Sequence, residues 1–240
     1  MRLDEYIVKN KLLDTRSQAI YFIKSCKVTV NNKNIIKPSY LVKSKDIIKL
    51  TPKNIYVSKG GYKLESFLDK ISFSVKDKLI LDIGCSTGGF TNYFLTHNAK
   101  RVVAIDIARN ILSKKLLATK YDNLEYMDNF DITNKTNIDS FKQKFDIISI
   151  DVSDTSIRNV LILLRDILKR NGAIIALFKP HYEGKKGIVS KEDKDKLIAD
   201  FENWLSKNTE FKVIHMVRSS ERGGYNLKGN RELFYLLKFK

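Results

Sequence analysis

The sequence predicts an α/β chain: a mostly parallel, doubly wound sheet with an antiparallel final strand, preceded by a small α+β module. Three observations carry this. The run Leu79-Ile80-Leu81-Asp82-Ile83 is apolar and too short for a helix; glycines break it, and Phe90, Phe94 and Leu95 then share one helical face, which reads as strand, tight turn, helix. Downstream, apolar runs of strand length alternate with helical patterns, as a sheet covered on both faces requires. The first 58 or so residues have a different rhythm, two short helices followed by short alternating strands.

At 240 residues with 43% hydrophobic content, the chain can hold one large domain or a medium one plus a small one. Lys and Arg number 44 against 27 Asp and Glu, and the resulting +17 concentrates polyanions. Charge alone leaves nucleic acid and anionic membranes open. No apolar stretch approaches the roughly 20 residues of a spanning helix, and Met1-Arg2-Leu3-Asp4-Glu5 opens no signal-peptide pattern, so a cytoplasmic protein with no membrane partner is expected. Cys26, Cys85 and three scattered histidines form neither a disulfide framework nor a metal spacing, and no metal site is expected.

In chain order, Leu3, Tyr6, Ile7 and Leu13 can share a helical stripe, and Thr15-Arg16-Ser17-Gln18 reads as a capping box opening a second helix. Val28 to Lys33 alternates and turns, Pro38 interrupts, and Asp46 to Leu50 closes as a short strand. From Arg2 to Lys53 there are twelve Lys or Arg and four Asp or Glu, a net +8. This order, R-L-D…T-R-S-Q-A…V-x-V-N…P…V…D-I-I-x-L, resembles the S4 RNA-binding domain. Cys26 and Asn32 stand where such domains usually carry glycine; Asn tolerates a left-handed turn, Cys less well. Arg2, Arg16, Lys24 and Lys27 are the candidates for RNA phosphate contacts. The expected division is 1–53 for this module, 54–62 for a linker and 63–240 for the larger domain.

Tyr56 to Glu65 places paired glycines ahead of a helix that starts near Lys63 and continues through Phe67 and Leu68. The strand-turn-helix of Asp82, Gly84, Cys85, Ser86, Thr87, Gly88, Gly89 and Phe90 brings backbone N–H groups to a helix N-terminus. The next strand, Arg101 to Ile105, ends at Asp106, twenty-two positions after Gly84, where a nucleotide fold places the carboxylate that grips a ribose diol; Ile107 follows it. A helix is expected over Asn110 to Ala118 and a third strand over Leu124 to Met127. At its end, Asp128 or Asn129 is expected at an adenine, with Asp131 near enough to compete. A fourth strand, Phe145 to Ile150, ends in Asp151, and the following helix carries Val160, Leu161, Leu163 and Leu164. A fifth, Ala173 to Phe178, ends in Lys179-Pro180-His181-Tyr182-Glu183. A basic loop with Lys185 and Lys186 suits RNA, Ser190 caps a helix running to about Trp204, and Phe211 to Arg218 pairs with Leu233 to Phe239, where Glu232 opens the last strand.

The glycine spacing is not the G-x-G-x-x-G of dinucleotide enzymes. D-x-G-x-x-T-G-G-F-T resembles motif I of class I (Rossmann-like) S-adenosylmethionine methyltransferases, in the FtsJ-like 2′-O-ribose branch. With S-x-G-G-x-K-L, K-P-x-[FY]-E, G-N-x-E and the S4 pattern, nearly the whole chain resembles the TlyA-type family, an S4 domain fused to an FtsJ-like methyltransferase and also known as haemolysin A. The resemblance implies S-adenosylmethionine as cofactor without a metal, and ribosomal RNA or ribosomal subunits as partners. It also implies a catalytic tetrad of Lys63, Asp151, Lys179 and Glu232. By the same resemblance Lys179 activates the hydroxyl, Asp151 sits between it and the cofactor, and Lys63 and Glu232 position nucleotide and lysine. A lysine whose pKa is lowered by burial and a second cation can act as base or stabilise an alkoxide. The family's wording after Asp151 is L-S-F, so Asp154 stands where an aromatic is expected. Two alternatives are an RNA-binding or ribosome-assembly protein with a degenerate methyltransferase fold, and a haemolysin.

Overall fold

The structure is a computed structural model of the chain and describes residues 1–51, 54–183, 190–222 and 231–240. It divides into two compact units, Met1–Ile55 and Tyr56–Lys240.

In the first unit, α1 (Leu3–Lys9) and α2 (Arg16–Lys24) precede a three-stranded antiparallel sheet, with β1 (Val28–Val30) between β2 (Lys33–Asn34) and β3 (Ile48–Leu50). Both arms of the Thr15–Gln18 capping box form. Leu3, Ile7, Leu13, Phe22, Ile23 and Val28 make the core. Cys26 adopts φ 55° and Asn32 φ 63°, so both take the left-handed conformation of the glycines they replace.

The second unit opens with Tyr56, which is 1% exposed and packs edge-on against Tyr62 at 4.9 Å between ring centroids. Residues 56–62 therefore belong to this unit, and α3 (Lys59–Lys70) begins inside the stretch expected to be a linker. The sheet follows: β4 (Leu79–Ile83), α4 (Gly89–Thr96), β5 (Arg101–Ile105), α5 (Lys114–Thr119), β6 (Leu124–Met127), α6 (Lys135–Asp139), β7 (Phe145–Ile150) and α7 (Ile157–Leu161). Then come β8 (Leu168–Phe178), α8 (Pro180–Glu183), α9 (Lys191–Asn208), β9 (Phe211–Arg222) and β10 (Arg231–Phe239). The strand order is β6-β5-β4-β7-β8-β10-β9, parallel throughout except for β10, which runs antiparallel to both neighbours. This is a doubly wound, Rossmann-like sheet with an antiparallel strand near one edge and its crevice at the carboxyl ends of the central strands.

Three helices are shorter than expected: α1 ends at Lys9, before Leu13, α7 ends at Leu161, before Leu163 and Leu164, and α5 starts late. Asn110 is left-handed at φ 52° and donates its N–H to Asp128 Oδ2 (2.8 Å), so α5 starts only after Ser113, whose hydroxyl accepts from Lys115 N. Among the described residues no helix is long and apolar enough to cross a membrane.

Candidate active site

Two lysine–carboxylate pairs meet where β7, β8 and β10 come together. Lys179 Nζ lies 2.6 Å from Asp151 Oδ1, and Lys63 Nζ donates to Glu232 Oε2 at 2.5 Å. The fold explains each position. Asp151 and Lys179 follow the last residues of adjacent parallel strands, and the β10–β8 register, with Leu233 opposite Phe178, sets Glu232 beside Lys179. Lys63 reaches them from the first turns of α3. That approach depends on glycine: a Cβ on Gly89 at the start of α4 would collide with Ser58 Oγ and stand 3.0 Å from the Gly61 amide. The two glycine pairs thus let the ends of α3 and α4 touch through backbone.

Both ammonium groups are largely removed from water, 11% exposed for Lys63 and 13% for Lys179. Burial pulls the Lys179 pKa down, but Asp151, and behind it Glu232 and Tyr182, outweigh burial and hold it above the ordinary lysine value. This corrects the expectation of a lysine lowered by burial and a second cation: Lys179 is held as an ammonium.

Beside the pairs lies a cavity of about 350 Å³ at the ends of β4, β5 and β7. Gly84, Ser86, Asp106, Ile107 and Asp151 line it, as expected of the motif and the second strand. Gly84 has φ 75°, and a Cβ there would lie 2.8 Å from the Asp151 carbonyl oxygen. Only glycine leaves the β4 turn this close to β7. Asp106 accepts from Ser86 N and Ala108 N, both at 2.8 Å, and so ties the two turns together. Four carboxylates line the cavity, Asp106, Asp131, Asp151 and Asp154, with no Lys, Arg or His among the lining residues. In a chain of net charge +17 this is a local reversal of sign. It repels a pyrophosphate and suits a ligand carrying positive charge, such as a sulfonium or an ammonium.

The family models agree with this geometry. An FtsJ-like methyltransferase model matches residues 56–238, and an S4 domain model matches residues 1–48. Hemolysin A of Brachyspira hyodysenteriae is 33% identical over 249 residues, spanning 100% of this chain and 99% of the relative. The 23S rRNA (cytidine-2′-O)-methyltransferase TlyA of Campylobacter jejuni is 32% identical over 271 residues, covering 98% of each. The chain belongs to the TlyA-type family. A solved structure of a candidate hemolysin from Streptococcus thermophilus aligns with a TM-score of 0.70 and 30% identity over 100% of this chain and 88% of that one.

Not every sequence-predicted residue of this TlyA-type chain reaches the cavity. Asp82 is fully buried, accepting from Thr91 Oγ1 (2.6 Å) and Ser149 Oγ (2.7 Å); it holds the motif strand from behind. Burial pushes its pKa up to about 6, Asp151 adds to the rise, and the two hydroxyls hold it down. Cys85 is buried, and burial raises its thiol pKa. Gly88 and Gly89 shape the turn, Thr87 lies exposed outside the lining, and Phe90 stacks on Phe234 in the core. Asp128 and Asn129 are turned toward the β5 loop, Asp128 accepting from Asn110 N and Asn129 Oδ1 from Arg109 Nε (3.2 Å). Asp131, three residues on, takes the cavity position, set by a tight turn in which its Oδ1 accepts from Thr133 N and Oγ1. The sequence also left Glu183 without a role, although it closes the K-P-x-Y-E motif.

In the first unit, Arg2 and Arg16 converge on the fully buried Asp4. Arg2 Nε and Nη2 donate to it at 3.0 and 3.1 Å, and Arg16 Nε at 2.9 Å. Their primary role is therefore within the unit, with the outer parts of both guanidiniums still exposed. Lys24 is exposed, and Lys27 donates to Tyr21 Oη (3.2 Å). Lys185 and Lys186 lie outside the described residues.

Proposed function

We propose that this chain is an rRNA methyltransferase that moves the methyl group of S-adenosylmethionine to a ribose 2′-hydroxyl, that of a cytidine, with ribosomal subunits as the physiological substrate. The observation that supports it most is the juxtaposition of the two lysine–carboxylate pairs with an acid-lined cavity. The Campylobacter relative, named a 23S rRNA (cytidine-2′-O)-methyltransferase, supports the reaction class.

The cavity's donor set suits the cofactor: in this reading Asp106 takes the ribose diol and Asp131 a base amine, and Gly84 leaves the backbone bare where a side chain would intrude. When bound, S-adenosylmethionine supplies a methyl on a sulfonium, an excellent leaving group. The protein's task is the nucleophile, because a ribose hydroxyl is a very weak acid whose oxygen must be held in line. The Lys179 ammonium hydrogen-bonds the 2′-oxygen and stabilises its growing charge. Lys179 stays an ammonium throughout, and Asp151, whose Oδ1 lies 2.6 Å from Lys179 Nζ, receives the proton that the hydroxyl releases. Glu232 holds Lys63, which then faces the RNA backbone as a fixed cation. The first unit supplies RNA affinity through Lys24, Lys27 and the outer edges of Arg2 and Arg16, joined by Lys185 and Lys186 from the second.

The deciding experiment is transfer of labelled methyl to purified ribosomal subunits and to naked rRNA, with nuclease mapping of the product. A 2′-O-methylcytidine is expected. Binding of rRNA and cofactor without transfer of label would replace this reading by that of an RNA-binding assembly factor.

A further inference from the structure

The four-residue helix α8, directly after Lys179, is fastened from two sides. Tyr182 N donates to Lys179 O at 2.9 Å. Glu183, with a side chain 4% exposed, accepts from Ser156 Oγ (2.6 Å), Ile157 N (2.8 Å) and Arg158 Nη1 (3.2 Å) at the start of α7. Arg158 in turn lies over the Phe201 and Trp204 rings at 5.8 and 5.7 Å. The segment that carries Lys179 is thereby locked to the wall that carries Asp154.

On this locked segment stands Tyr182, its ring centroid 5.5 Å from Lys179 Nζ and the residue 48% exposed. Among the described residues it is the one exposed aromatic; the other exposed large hydrophobics are aliphatic or Met. The cavity wall offers no substitute, since its one aromatic residue, Phe130, packs on Phe141 at 5.5 Å. A half-exposed aromatic ring on a segment fastened from two sides, beside the ammonium that meets a ribose, offers a stacking surface, and bases stack on such rings whatever their identity.

We infer that Tyr182 is the platform on which the base of the target nucleotide stacks while Lys179 engages the 2′-oxygen of the same sugar; the inference rests on the methyltransferase reading. Base and 2′-hydroxyl hang from adjacent carbons of one ribose, so a nucleotide held at Lys179 carries its base within reach of Tyr182. Tyr182 then fixes the nucleotide's pose without choosing which base is accepted.

The test uses the full chain and the nucleotide mapped with the wild type. Tyr182→Ala and Tyr182→Phe are assayed on an rRNA fragment containing that nucleotide and on the same fragment made abasic there. Tyr182→Ala is expected to raise the KM for the intact fragment about ten-fold. Tyr182→Phe should keep a KM within about two-fold of wild type, and on the abasic fragment Tyr182→Ala should show the wild-type KM whatever happens to kcat. Equal losses on both fragments, no loss on the intact one, or no rescue by Phe would each overturn the platform. A wild-type chain that transfers no methyl to any rRNA would instead overturn the functional reading, and the platform with it.

Discussion

Each unit of this molecule keeps one aspartate wholly out of water, and the two are held in opposite ways. Burial drives the Asp4 pKa up, but the guanidiniums of Arg2 and Arg16 outweigh it and hold the group below the ordinary aspartate value. Asp82 meets two hydroxyls instead, and burial leaves its pKa at about 6. Hydroxyls satisfy lone pairs but supply no opposite charge. The difference shows where each unit places its cations. The first turns two arginines inward on its own fold, a use suited to a planar, forked donor. The second leaves Asp82 to hydroxyls and keeps its buried ammonium groups for Asp151 and Glu232, beside the cavity.

The comparison breaks most visibly at Lys179. Lys179→Ala is expected to lower methyl transfer by about 10² to 10⁴-fold while cofactor affinity, read by calorimetry, stays within a few-fold. Full turnover in this variant would mean that the pairing with Asp151 serves the fold and not the reaction. Next is the pH dependence of the buried aspartates. Because the Asp82 pKa is raised in the fold, its contribution is complete below 3.8 and is lost as pH climbs through about 6. That loss amounts to about 3 kcal/mol. In denaturant titrations across this window, Asp82→Asn should abolish that component of the slope. Asp4 carries the opposite sign: its contribution is present above the ordinary aspartate range and is lost as pH falls through its depressed pKa. Asp4→Asn should therefore cost about 2 kcal/mol at neutral pH and less in acid. Hydrogen exchange would place the cost in α1 and α2, with β4 amides unchanged. The smallest effect is expected of Arg16→Lys, under about 1 kcal/mol, because Arg2 keeps both of its bonds to Asp4.

The sequence made β4 to β7 legible to the residue because buried parallel strands are apolar runs with polar or glycine ends. It hid the start of β8, where Lys169, Arg170 and Asn171 are exposed and read as loop. Asn110 delayed a helical pattern by turning left-handed, an option that composition permits but does not announce. At the site, motif wording picked out the four tetrad residues, but the contact between Lys63 and Glu232 joins positions 169 apart, and no spacing rule reaches that far. The choice between Asp128 and Asp131 was made by a loop turn and a backbone N–H on another segment. Asp82 looked like a ligand residue because the motif wording does not announce that its own last residue, Thr91, and Ser149 of β7 occupy the Asp82 oxygens.

The place of β10 between β8 and β9 has a kinetic consequence. β4 to β7, which carry most of the cavity, pair through successive crossovers, whereas Glu232 reaches Lys63 only after β10, far along the chain, has docked on the edge of β8. In refolding, affinity for a cationic ligand returns before turnover does, and the interval between the two recoveries is the time β10 takes to dock on β8.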